Sequence, residues 1–71
     1  MSGVTTHRIR FGGKQYVLHP SQDVPALKTR LAAAALLGGG FVDFATAGDL
    51  QLSLFMSPNI AVWFEESHSG D

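Results

Sequence analysis

With 71 residues, no cysteine and a formal net charge of -1, the chain has room for one domain, no disulfide to staple it and no general attraction for polyanions. Charged residues make up 15% of it, well under the roughly 25% of soluble domains, so small and apolar side chains occupy surface that charge would ordinarily take. Small domains add a disulfide, a metal or a partner to a thin core, and without Cys or a ligand cluster of known spacing the device left is association.

Residues 1–5 and 67–71 are polar, small-residue stretches with little to bury, and are expected to be flexible ends around a single domain at 6–66. The chain starts with neither a basic nor an apolar segment of the kind a signal peptide needs. Its longest apolar stretch, 31–42, is interrupted by Gly38, Gly39 and Gly40 and followed by Asp43. No membrane span is expected, and the expected location is the cytoplasm.

Residues 7–18 predict a hairpin around Gly12 and Gly13, because a two-residue turn that matches strand twist needs positive φ at both central positions. In that register Ile9 faces Tyr16 and Phe11 faces Lys14. Ile9, Phe11, Tyr16 and Leu18 then share the inner face, with Arg8, Arg10, Gln15, Val17 and His19 outside. Pro20 ends the strand, Asp23 is the expected N-cap of a helix with Pro25 in its first turn, and Gly38 is the expected stop near Leu37. Val24, Leu27, Leu31, Ala34 and Ala35 form its apolar stripe, while Thr29, Ala32, Ala33 and Leu36 make an opposite side without charge.

Strands follow at 41–45, 50–56 and 60–65, with turns at 46–49 and 57–59. Leu50, Leu52, Leu54 and Met56 alternate along one, and Ile60, Val62 and Phe64 along the next, so both rows face the core and leave Phe55 and Trp63 outside. A hairpin through Ser57, Pro58 and Asn59 would set Met56 against Ile60, Leu54 against Val62 and Leu52 against Phe64. Phe55 would then pair with Ala61 and Ser53 with Trp63 on the outer face. The element order β-β-α-β-β-β predicts a small α+β domain, a mostly antiparallel sheet with one helix packed on one face. The ββα start is similar in element order to the β-grasp arrangement of ubiquitin-like proteins. The C-terminal Gly-Gly of a modifier is replaced here by His68, Ser69, Gly70 and Asp71, and three successive antiparallel strands would run the last one the wrong way for that fold.

No motif points to catalysis. Asp23, Asp43, Asp49, Glu65 and Glu66 offer no pair facing across a pocket, no Ser or Thr has an assignable base, and so small a chain leaves little room for a cavity. The glycine run follows a helix where phosphate-binding loops precede one, so no cofactor is expected. His7 and His19 are expected on opposite faces with His68 in the tail, so no metal is expected either. What stands out is an outer face carrying Phe55, Trp63, Ala61, Val17 and Phe41 with Arg8 and Arg10 at its rim, residue types that anchor protein interfaces. The expected function is a non-catalytic interaction module that forms a homodimer or docks on a partner protein. The alternative is a nucleic-acid-binding domain using Arg8, Arg10 and Lys14, with the two aromatics stacking on bases.

Overall fold

The computed structural model describes residues 3–70. It has the expected α+β character and order: β1 (Gly3–Phe11), β2 (Lys14–Val17), α1 (Val24–Leu36), β3 (Gly40–Thr46), β4 (Leu50–Met56) and β5 (Val62–Gly70). Gly12 and Gly13 both have positive φ, 55° and 76°, and β1 pairs with β2 in the expected register, Ile9 opposite Tyr16 and Phe11 opposite Lys14. The Asp23 carboxylate accepts from the Ala26 amide at 3.0 Å and caps α1. At the other end the Gly39 and Gly38 amides donate back to the Ala34 and Ala35 carbonyls, and Gly38 takes the positive φ that this helix ending requires.

The strands divide into two antiparallel sheets, β2-β1-β5 and β3-β4. A single bridge, Leu18 opposite Thr46, joins them, with the His19 amide on the Ala45 carbonyl and the Ala47 amide on the Val17 carbonyl at its sides. Beyond this seam two groups on the free edge of β3 are met by side chains: Gln22 accepts from the Ala45 amide, and Arg30 donates to the Asp43 carbonyl. Ile9, Leu18, Val24, Leu27, Leu31, Val42, Phe44, Leu54 and Met56 form the buried core, with Leu52, Ile60, Val62 and Phe64 partly buried against it. Both alternating rows therefore pack on the core as expected, except Leu50 at the start of β4, which is 53% exposed.

The partner of β5 differs from the expectation. It pairs with β1 and not with β4, so Phe64 lies opposite Ile9, and Val62 opposite Phe11. The energetic reason is length: the β1-β5 ladder runs without a break from Gly3 opposite Gly70 to Phe11 opposite Val62, whereas a 57–59 hairpin would have ended at the last residue of a short β5. The ends read as flexible take part in this ladder, Val4 opposite Ser69 and Thr5 opposite His68; Met1, Ser2 and Asp71 lie outside the described residues. With β5 antiparallel to β1, the likeness to the β-grasp order stops at the order of elements.

Candidate functional site

The expected outer face becomes two surfaces. On the three-stranded sheet, Trp63 lies directly opposite Arg10, which is also opposite Gln15, and Arg8 lies opposite Val17. Arg10 Nη1 donates to Glu65 Oε2 at 3.2 Å, and Arg8 Nη1 donates to Ser67 Oγ at 3.0 Å. Each guanidinium group is thus tied to a residue of β5. Trp63 is 61% exposed and has no aromatic neighbour among the described residues.

Phe55 lies elsewhere. Its strand is in the other sheet, where it faces Phe41 across the β3-β4 ladder with ring centroids 5.2 Å apart, edge to face. Phe41 is 74% exposed, and Leu36 and Leu37 at the end of α1 are 88% and 85% exposed. The glycine turn brings Phe55 close to it, because a Cβ on Gly39 would stand 2.8 Å from Phe55 Cζ. Only a residue without a side chain lets the ring lie over the turn. A groove of about 380 Å³ lies between Ala33 and Ala34 of α1, Leu37 at its C-cap, and Phe41 and Val42 of β3, with Arg30 and Asp43 also in its lining. The expected pairings of Phe55 with Ala61 and of Ser53 with Trp63 are therefore replaced by Phe55 with Phe41 and Trp63 with Arg10, since β4 and β5 do not pair. Ala61 precedes β5 as an exposed residue and belongs to neither strand ladder.

The β1-β5 ladder also creates a feature that the sequence reading did not foresee. Thr5, His7, Glu66 and His68 share one face, with Glu66 opposite His7. His68 Nε2 lies 3.1 Å from Glu66 Oε2, and its Nδ1 lies 3.0 Å from Thr5 Oγ1, an arrangement that one neutral imidazole can satisfy at both nitrogens. His7, Glu66 and Phe64 line a cleft of about 530 Å³ completed by Asp23, Val24 and Lys28 of the helix start. The cleft is open to solvent along one side of the molecule. Its charged groups are already engaged: Asp23 caps the helix, Glu66 meets His68, and the Lys28 ammonium stands 5.2 Å from the Phe64 ring centroid. Among the described residues no three His, Asp or Glu are placed to hold a metal ion. The signal for this face was the period of two continuing past Phe64 to Glu66 and His68.

No helix is long and apolar enough to cross a membrane among the described residues. No family model matches the chain, and no curated protein or solved structure matches it either.

Proposed function

We propose that this protein is a non-catalytic protein-interaction module that self-associates, with the aromatic face of β3-β4 and the adjoining end of α1 as its contact surface. The observation that carries this reading is the exposed pair of Phe41 and Phe55, with exposed Leu37 across the groove from Phe41 at the glycine turn. Aromatic anchors with aliphatic neighbours are the composition of interface centres, and soluble monomers seldom leave such groups contiguous in water. The low charge and thin core favour a second copy as the occupant, and the Cys-free composition fits the cytoplasm as its setting.

Light scattering tests the reading. The native protein at about 100 μM, far above the micromolar dissociation constants of weak complexes, should have twice the subunit mass. Phe41→Asp should return it to the monomer with its far-UV spectrum intact. A native monomer at that concentration refutes self-association. A Phe41→Asp dimer moves the contact surface away from this face.

A second reading, nucleic-acid binding, draws support from Trp63 set beside Arg10 and Arg8 on one face. It comes second because Glu65 occupies the same face and already pairs with Arg10, and because phosphate binders are ordinarily basic.

A further inference from the structure

Ala45 donates its amide to Gln22 and accepts from the His19 amide at the seam, so both of its backbone groups point away from β4. Antiparallel pairs alternate between those that exchange both backbone bonds and those that exchange none. Ala45 opposite Gln51, Asp43 opposite Ser53 and Phe41 opposite Phe55 are therefore the non-bonded pairs, and the bonds to β3 come from Leu50, Leu52, Leu54 and Met56. It follows that the amides and carbonyls of Gln51, Ser53 and Phe55 point to the outer edge of β4. No backbone or side-chain group among the described residues bonds to them there.

Exposed sheet edges are ordinarily protected by charge, proline, a bulge or shortness. β4 has seven residues, none charged and none proline, and its register with β3 is unbroken. The other outermost strand, β5, carries Glu65, Glu66 and His68, so pairing with its own copy would bring acidic residues towards acidic residues. Of the remaining edges, β2 is only four residues long and carries Lys14, and β3 carries Asp43 and meets the seam, so β4 is the long uncharged edge open to a like strand.

Resting on the self-association proposed above, we propose that two copies join edge to edge through β4, antiparallel about a two-fold axis at Ser53. A two-fold axis makes each contact its own mirror. Ser53 then faces Ser53 of the partner subunit, Gln51 faces Phe55 of the partner subunit, Leu52 faces Leu54 of the partner subunit, and Leu50 faces Met56 of the partner subunit. Every facing pair is neutral. The three outward residues become the bonded pairs, each exchanging two N–H···O bonds. The core-facing row of one subunit continues into that of the next, which covers Leu50, 53% exposed in the single chain. Strand pairing by itself covers less than the roughly 1,200 Å² of a stable interface. Phe55 on the outer face, with Phe41 against it, supplies further apolar surface beside the seam.

Two variants at Ser53 test this. The chain has no Cys of its own, so Ser53→Cys places a single thiol on the proposed axis. Bonded antiparallel pairs have Cα atoms about 5.5 Å apart, within disulfide range. Mild oxidation at a concentration where the native protein is dimeric should cross-link Ser53→Cys, whereas Gln15→Cys, on the other sheet, should stay uncross-linked. Ser53→Pro removes an amide that β3 does not use, together with the exposed hydroxyl bond to Asp43, and since the backbone bonds between β3 and β4 are untouched the subunit should keep its far-UV spectrum. Both bonds at the axis would be lost, and the dissociation constant should rise at least about thirtyfold. If the native protein is a dimer yet Ser53→Cys cross-links no faster than Gln15→Cys and Ser53→Pro leaves the mass unchanged, edge pairing is refuted while self-association stands. If the native protein is a monomer at about 100 μM, far above micromolar dissociation constants, and Ser53→Cys does not cross-link, both proposals fall. A monomer that instead binds an extended peptide at this edge overturns the two-fold pairing in favour of a foreign strand.

Discussion

Phe41 and Phe44 stand three residues apart on β3 and face opposite ways, which makes them a test of the inside and outside of this fold. Phe44 is 1% exposed, and its ring meets that of Phe11 edge to face at 6.3 Å. Truncating so buried a ring ordinarily costs about 3 to 5 kcal/mol, the upper part of that range applying where a rigid neighbourhood cannot collapse into the space. Ile9 and Leu27, both fully buried, belong to the same cluster and limit such collapse. At about 0.05 to 0.15 kcal/mol per residue, a chain of 71 residues has roughly 4 to 11 kcal/mol of stability in all. Phe44→Ala should remove between about a quarter of that and the whole. Urea unfolding followed by far-UV circular dichroism reads it directly: with a slope near 1 kcal/mol per molar, the midpoint should fall by about 3 M or more. Phe41→Ala, measured at a concentration too low for association, should move the midpoint by less than about 0.5 M, because surface substitutions ordinarily stay within about 0.5 kcal/mol. Equal effects at the two positions, or a larger one at Phe41, would mean that the register of β3 is reversed and that every inward residue assigned from it is wrong.

Asp23→Ala removes the acceptor for the Ala26 amide and should cost about 0.5 to 2 kcal/mol in the same urea experiment; no change would show that the cap is not formed. Gly39→Ala should destabilise more than Gly38→Ala: both have positive φ, 144° and 90°, but only the Gly39 methyl would meet the Phe55 ring. Amide hydrogen exchange should find Val4 and Thr6 slower than an unfolded chain, since the β1-β5 ladder extends to Gly3 opposite Gly70; random-coil rates there would return both ends to the flexible state that their composition suggests. Trp63 fluorescence in the monomer should be readily quenched by iodide, and Trp63→Ala should change stability by no more than about 0.5 kcal/mol, given its exposure.

The local features were legible because their causes are local. Gly12 and Gly13 fix the first hairpin and its register, Asp23 and Pro25 open the helix, Gly38 closes it, and the alternation of Leu50, Leu52, Leu54 and Met56 assigns the inner face of β4. A period of two states which face a side chain takes. It carries no information about which strand lies along either edge, because the same alternation is buried equally well beside any neighbour of matching height. The partner of β5 was decided by the tertiary structure, through the long ladder that β1 could offer and β4, across a loop containing Pro58, did not. That one choice separated Trp63 from Phe55, brought Phe55 to Phe41, set His7 opposite Glu66, and left the edge of β4 without a neighbour. Residue types chose the faces, and long-range pairing chose the edges, where backbone groups that every residue shares meet regardless of side chain.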